Sequence, residues 1–202
     1  MQRYDCLALL APMIQDELVV ANVSGTSYDW HALAPREGNI YTMGIGMVTP
    51  VCLGLALALP RRRVVALDGD GSLLLNLSVL PTIANATPSN LVVIVFDNQS
   101  YDSTGGLPTA TGGKTDLAAV ARGAGIEAVV TARTLEEFRS AAERAWAGDG
   151  PWFLVARVGG DESQSWAPKL MDGRENKYRF VRYVEQTEGM TILKPSIVGR
   201  KE

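Results

Sequence analysis

The chain has 202 residues, of which 47% are hydrophobic and 20% charged, a composition typical of a soluble fold with one sizeable core. Its net charge of −3 and sequence pI of about 5.3 argue against nucleic acid or an anionic membrane as a partner. The sequence shows neither a signal-peptide pattern nor an apolar run of the roughly 18 residues that a membrane span needs, so we expect a cytoplasmic protein.

Helical and strand patterns alternate along the chain. In order, the predicted elements are a helix over 4–14, a strand over 18–21, a polar loop over 22–39, a small-residue helix over 46–58, strands over 64–67 and 91–96, a helix over 117–124, a helix from the capping box at 134–137 to about 147, and a strand over 152–158. Such alternation predicts an α/β fold, a single domain with a doubly wound, mostly parallel sheet and helices on both faces.

The last part of the chain lacks this pattern. Residues 161–202 are polar and carry most of the late charge, so they are predicted to form a C-terminal extension, either a lid or a tail that contacts a partner. A flexible tail is an equal alternative. Lys169, Arg174, Lys177 and Arg179 lie in this segment and are interpreted as solvated charges rather than as ligands of an anionic substrate.

Two loops carry residues suited to binding a phosphate through a cation. Gly69-Asp70-Gly71-Ser72 follows the strand over 64–67, and Asp97-Asn98 follows the strand over 91–96. Ligands of open parallel sheets bind beyond the carboxyl ends of the strands. The glycines allow close approach of a phosphate, but Asp70 would repel it unless a cation such as Mg²⁺ lay between them. Either loop alone could be a simple turn, and their succession favours a site.

These residues resemble the motif of thiamine diphosphate enzymes, in which GDG is followed after about two dozen residues by Asn-Asn or Asp-Asn. Gly25-Thr26-Ser27 resembles the diphosphate loop of pyruvate decarboxylase-like enzymes, and Met43-Gly44-Ile45-Gly46 resembles the segment that carries the aminopyrimidine. The stretch from Asp97 to Ala110 resembles the corresponding loop of sulfopyruvate and phosphonopyruvate decarboxylases. The resemblance assigns residues 1–160 to the diphosphate-binding type of domain.

The resemblance also implies a role for each matching residue. It implies that Asp70, Asn98 and the Ser100 carbonyl bind Mg²⁺, and that Ile45 is an apolar wedge holding the cofactor in a bent shape. The Met43 carbonyl would accept a hydrogen bond from the aminopyrimidine. The remaining cofactor-binding residues implied in this way are Ser24, Gly25, Thr26, Gly69, Gly71, Ser72 and Tyr101.

The resemblance implies a decarboxylase or carboligase subunit for a small 2-oxo acid, working by ylide attack on the keto carbon and loss of CO₂. A glutamate that activates the cofactor is carried in this family by a separate pyrimidine domain. The chain leaves no room for such a domain, so we expect it on a partner subunit, in a hetero-oligomer such as α2β2 or larger.

Two alternatives remain open. One is the thiamine diphosphate-binding subunit of a 2-oxo acid:ferredoxin oxidoreductase, although the chain has no cysteine cluster for an iron–sulfur centre. The other is a non-catalytic binding subunit. The single histidine, His31, is interpreted as a surface or supporting residue rather than a proton shuttle.

Overall fold

The computed structural model describes residues 1–159 and 172–193. Its strands are β1 (Leu18–Asn22), β2 (Asn39–Met43), β3 (Val64–Gly69), β4 (Leu91–Asp97), β5 (Ser100–Tyr101), β6 (Leu107–Pro108), β7 (Ala128–Ala132) and β8 (Trp152–Arg157). Its α-helices are α1 (Arg3–Leu10), α2 (Gly25–Leu33), α3 (Val48–Ala58), α4 (Asp70–Leu74), α5 (Val79–Ala86), α6 (Leu117–Gly123), α7 (Leu135–Ala147) and α8 (Gly173–Glu188).

A parallel sheet organises the molecule. Its strand order is β2-β1-β3-β4-β8-β7, and each neighbouring pair is parallel. The chain moves outward from β1 to β2, then crosses back to β3 on the other side of β1 and continues to β4. The direction of winding therefore changes between β1 and β3, which is the place where open α/β sheets bind ligands.

The two faces of the sheet are both covered by helices. Side chains of a strand point alternately to opposite faces, so Leu18 and Val20 belong to one hydrophobic core while Val19 and Ala21 belong to the other. The first core is completed by α3, α5, α6 and α8, and the second by α1, α2 and α7. The prediction of a doubly wound α/β fold is confirmed.

Several elements differ from the sequence-based prediction. The polar loop predicted over 22–39 is wrong, because the segment contains α2 and the start of β2. The helix predicted over 4–14 stops at Leu10 and continues as a 3₁₀ turn over Ala11–Met13. The capping box is confirmed, since Thr134 accepts from the Glu137 amide and Glu137 accepts from the Thr134 amide.

The polar segment after residue 160 contains a helix, α8, that packs on the edge strand β2. Asn176 is 4% exposed and makes two hydrogen bonds to that strand. Its side-chain amide accepts from the Tyr41 N–H at 2.9 Å and donates to the Asn39 carbonyl at 2.9 Å. One side chain thus satisfies backbone groups of an otherwise open sheet edge. Lys169 lies outside the described residues.

Candidate active site

An open pocket lies at the carboxyl ends of β1, β3 and β4, where the winding direction changes. Three loops and the segment after β2 form most of its wall. The lining residues are Arg3, Asn22, Val23, Ser24, Gly25, Thr26, Ile45, Gly69, Asp70, Gly71, Ser72, Phe96, Asn98, Ser100, Tyr101, Asp102, Ser103 and Val158.

The loop after β1 presents backbone donors to this pocket. Ser24 has φ 70° and ψ −140°, a conformation that costs an L residue energy and is concentrated at functional sites. α2 begins directly after it, and the amides of Gly25 and Thr26 precede the first helical hydrogen bond, which Ser27 makes to the Ser24 carbonyl. Free amides at the start of a helix attract anions, so this loop is suited to a diphosphate.

The turn after β3 places a buried carboxylate at the pocket wall. Asp70 is 2% exposed, and its Oδ2 accepts from the Thr109 hydroxyl at 2.5 Å and the Thr111 hydroxyl at 2.9 Å. Burial raises the pKa of Asp70, an effect that the two hydroxyl hydrogen bonds oppose. Gly71 allows the Tyr101 ring to lie against the turn, because a Cβ at this position would collide with the ring.

The loop after β4 carries Asn98 into the same pocket. Its Oδ1 accepts from the Ser100 amide at 3.2 Å, and its Nδ2 donates to Asp102 at 2.5 Å. Gln99, the next residue, has φ 63°, which is the left-handed region that few non-glycine residues adopt. The strained backbone turns Asn98 and Ser100 towards the pocket that Asp70 also lines.

Asp97 does not line the pocket, although it precedes Asn98 in the sequence motif. Its Oδ2 pairs with Arg157 at the end of β8, and its Oδ1 lies 2.8 Å from the Thr111 hydroxyl, whose single proton it shares with Asp70. Neighbouring residues of an extended chain point in opposite directions, so only Asn98 of the pair reaches the pocket. Asp97 acts on the site through Thr111.

Ile45 stands at the mouth of the pocket on a braced turn. It is 49% exposed, and it precedes Gly46, whose φ of 79° favours glycine. The Gly46 amide donates to the Ser72 hydroxyl at 2.9 Å, and its carbonyl accepts from the Asn76 amide at 3.1 Å. The turn that carries Ile45 is therefore tied to the GDGS turn.

Asp68 connects the end of β3 to the start of α3. Its carboxylate accepts from the Thr49 hydroxyl at 2.6 Å and from the Thr49 amide at 3.3 Å. Burial raises the pKa of Asp68, while hydrogen bonds from Ser72 and Thr49 oppose the increase. This contact fixes the helix that follows the Ile45 turn.

Of the residues named from the sequence for cofactor or metal binding, the pocket is lined by all but Asp97 and Met43. Met43 lies at the end of β2 outside the pocket lining, and its carbonyl already accepts from the Val23 amide at 3.0 Å. A carbonyl has two acceptor positions, so its role towards an aminopyrimidine stays a prediction. His31 lies elsewhere, edge-on to Tyr41 at 5.1 Å between ring centroids.

Sequence reasoning missed several residues of the site. Arg3 comes from α1, far from any motif, and its guanidinium lies against Gly25 and pairs with Asp29 at 3.1 Å. Thr109 and Thr111 were passed over as loop residues. No local pattern indicates them, because Thr111 lies in the 3₁₀ turn that Thr109 precedes and their contacts to Asp70 join residues 39 and 41 positions apart.

The donor set fits a Mg²⁺–diphosphate group better than a metal ion bound by protein side chains alone. Within residues 1–159 and 172–193, no group of three His, Cys, Asp or Glu side chains could hold a metal. Mg²⁺ bound through one or two carboxylate or carbonyl oxygens plus substrate phosphates needs no such group. Asp70 and Asn98 offer that smaller set, beside amides suited to phosphate.

A doubly wound sheet with free loop amides and a buried carboxylate at its switch point defines an α/β protein that binds a phosphorylated cofactor. Comparisons with known proteins identify the cofactor. Residues 21–156 match the family described as "Thiamine pyrophosphate enzyme, C-terminal TPP binding domain". The chain belongs to this family and is a thiamine diphosphate-binding domain.

Its relatives include two archaeal subunits. The sulfopyruvate decarboxylase subunit beta of Methanothermobacter thermautotrophicus is 34% identical over 91% of this chain and 96% of its own length. The subunit of the same name from Methanocaldococcus jannaschii is 38% identical over 61% of this chain and 65% of its own length, just under two thirds.

Longer relatives are matched over about a third of their length. The phosphonopyruvate decarboxylase of Streptomyces viridochromogenes is 40% identical over 71% of this chain and 36% of its own length. A solved structure from Mycobacterium smegmatis, described as a thiamin diphosphate-dependent enzyme, superposes with a TM-score of 0.68 at 25% identity and covers 80% of this chain and 32% of that one.

Proposed function

We propose that this chain is the cofactor-binding subunit of a two-subunit thiamine diphosphate-dependent decarboxylase. Its substrate is a small 2-oxo acid with a sulfonate or phosphonate group, and the cofactor is held together with Mg²⁺. The observation that carries the proposal is the meeting of Asp70, Asn98 and the amides of Gly25 and Thr26 in one pocket at the switch point. The reaction and the substrate class are proposed from the relatives, which are sulfopyruvate and phosphonopyruvate decarboxylases or their subunits.

In this proposal the loops after β1, β3 and β4 bind different parts of the Mg²⁺–diphosphate group. The amides of Gly25 and Thr26 bind the diphosphate oxygens from one side, and those of Gly71 and Ser72 from the other. Asp70 and Asn98, with the Ser100 carbonyl, hold Mg²⁺, which neutralises part of the diphosphate charge. Tyr101, packed on Gly71, closes the pocket beside them.

The positioning of the cofactor would fall to Ile45. When bound, thiamine diphosphate supplies the carbon nucleophile and the electron sink for loss of CO₂ from a 2-oxo acid. Ile45 is half exposed at the pocket mouth, and contact with the cofactor would bury it. Its braced turn allows little movement, so the side chain would hold the cofactor in one reactive shape.

A partner subunit would complete the site. The exposed residues at the start of α3 and along it include Met47, Gly54, Leu57 and Ala58, none of which is charged. Met47 is 48% exposed, close to Ile45 at the pocket mouth. Exposed apolar surface of this kind marks protein interfaces, so we place the pyrimidine-domain partner here, where it would also cover the cofactor.

Cofactor binding and activity of the assembled enzyme test this proposal. The chain is co-purified with its partner, and thiamine diphosphate binding is measured by calorimetry with and without Mg²⁺. Asp70→Ala is expected to abolish measurable affinity, because it removes a metal ligand and leaves the diphosphate charge uncompensated. Asp5→Ala is the matched control, since Asp5 is exposed on α1. Unchanged affinity in Asp70→Ala would refute the metal assignment.

The substrate class needs a separate assay. CO₂ release is measured from sulfopyruvate, phosphonopyruvate and pyruvate, and turnover of one of the first two well above pyruvate is expected. Equal use of all three would refute the anionic-group part of the proposal. If the assembled enzyme binds the cofactor but releases no CO₂ from any 2-oxo acid, the chain is a non-catalytic subunit. CO₂ release only with coenzyme A and an electron acceptor would indicate the oxidoreductase alternative.

A further inference from the structure

Two threonine hydroxyls join the buried carboxylates at the ends of β3 and β4. Thr109 and Thr111 are 5% and 3% exposed, and their hydroxyls lie 2.8 Å apart. Both contact Oδ2 of Asp70, and Thr111 also contacts Oδ1 of Asp97 at 2.8 Å. This network lies on the side of Asp70 away from the pocket, because neither threonine nor Asp97 lines that pocket.

The segment that carries the two threonines is itself held in place. The Thr109 amide donates to the Gln99 carbonyl at 3.0 Å, and Thr109 and Thr111 flank Ala110 in a 3₁₀ turn. Arg157 pairs with Oδ2 of Asp97, and Oδ1, the oxygen that Thr111 contacts, also accepts from the Gln99 amide at 3.2 Å. Thr111 is thus placed by the ion pair between Asp97 and Arg157, and Asp70 is placed by Thr111 and Thr109.

Both hydroxyls act on the same oxygen of Asp70. Thr109 donates to Oδ2 of Asp70, and Thr111, whose single proton is shared between Asp70 and Asp97, lies against the same oxygen. Contacts from two hydroxyls to Oδ2 fix the plane of the carboxylate and leave Oδ1 as the oxygen available to a cation. Groups that orient metal ligands in this way commonly set metal affinity by 10- to 100-fold. Mg²⁺ demands near-ideal octahedral geometry, whereas Ca²⁺ accepts irregular ligand positions.

We propose that Thr109 and Thr111 are positioning residues that hold Asp70 in the orientation required by Mg²⁺ and thereby select Mg²⁺ over larger cations. The inference rests on the proposed function, in which Asp70 is a ligand of Mg²⁺. Arg157 and Asp97 extend the same support to the end of β8, so the cation site is braced by three neighbouring strands of the sheet.

The test measures cofactor binding rather than turnover. Thiamine diphosphate affinity of the chain with its partner is determined by calorimetry in Mg²⁺ and in Ca²⁺. Thr109→Val keeps the shape of the side chain and removes the hydroxyl, and it should weaken binding in Mg²⁺ by about 10-fold or more and in Ca²⁺ by clearly less. Thr111→Val should act in the same direction.

Two further variants separate positioning from general damage to the fold. Thr109→Ser keeps the hydroxyl and should restore binding in Mg²⁺ to within about threefold of the unsubstituted chain. Thr82→Val removes an exposed hydroxyl on α5 and should change neither affinity. Equal losses in Mg²⁺ and Ca²⁺, or no loss in either Val variant, would overturn the inference. Failure of the unsubstituted chain to bind the cofactor in either cation would instead overturn the proposed function.

Discussion

At the scale of single residues, the side chain of Ile45 combines exposure with a rigid support. A single exposed apolar side chain is common on protein surfaces. Ile45 differs because it lines a polar pocket and lies on a turn that is hydrogen-bonded to Ser72 and Asn76. Strained backbone also occurs beside the pocket, where Ser24 and Gln99 are two of the four non-glycine residues with positive φ among the described residues. Strain that the surrounding fold maintains is typical of sites that must be preorganised before they bind.

Ile45→Ala is expected to separate cofactor binding from turnover. Diphosphate anchoring depends on the amides and the cation, so thiamine diphosphate affinity should change little. The rate constant kcat should fall by about 10-fold or more, since a displacement of about 1 Å in a reacting group can cost 100-fold. Stopped-flow or steady-state CO₂ release measures this. Ile192→Ala is the control, because Ile192 is 47% exposed outside the pocket. A kcat within about twofold of the unsubstituted enzyme would show that Ile45 is no wedge.

At the scale of elements, the docking of α8 on β2 depends on Asn176. β2 is an edge strand, and its unpaired backbone groups invite association with other chains unless they are covered. Phe180 and Val184, from the same helix, are buried in the core that also contains α3. α8 therefore buries apolar side chains in the core and also supplies hydrogen bonds to backbone groups of the edge strand β2.

Asn176→Ala should destabilise the protein by about 1–3 kcal/mol, because it leaves the Tyr41 amide and the Asn39 carbonyl buried without their partner. The free energy of unfolding in urea measures this effect. Asn85→Ala provides the comparison, since Asn85 is exposed on α5. A loss of the same size in both variants would mean that the two hydrogen bonds to β2 contribute nothing specific.

At the scale of the whole molecule, the pocket is an open cleft between surface loops and not an enclosed cavity. Ile45 and Met47 are about half exposed beside it, and Leu57 at the other end of α3 is 53% exposed. No helix within the described residues is long and apolar enough to cross a membrane. The partner subunit proposed to lie over α3 would cover this apolar surface and exclude water from the cofactor.

The isolated chain is therefore expected to release no CO₂ from 2-oxo acids in the presence of Mg²⁺ and thiamine diphosphate. The glutamate that activates the cofactor and the cover over the pocket would both come from the partner, and water at an open site weakens each electrostatic contact. CO₂ release is measured for the chain alone and after the partner is added. Robust turnover by a homo-oligomer of this chain would contradict the two-subunit proposal.

Local sequence was sufficient for the central part of the fold. The apolar runs at 64–67 and 91–96 predicted β3 and β4, since strands buried on both faces require continuous apolar sequence. The capping box predicted the start of α7 because its hydrogen bonds lie within four residues. GDGS and Asn98 were named because the residues after parallel strands share one edge of the sheet.

The remaining features depended on contacts between distant parts of the chain. The pairing of β2 with α8 was missed because it joins residues 135 and 137 positions apart. α8 was missed although it has local signals, the N-cap Asp172 and the C-cap Gly189. The direction of Asp97 and the roles of Thr109 and Thr111 were likewise decided by which strand ends meet. Sequence by itself determined the class of fold and the cofactor-binding motif. Tertiary packing alone decided how the Asp70 carboxylate is held, because the hydroxyls that contact it belong to residues 39 and 41 positions away.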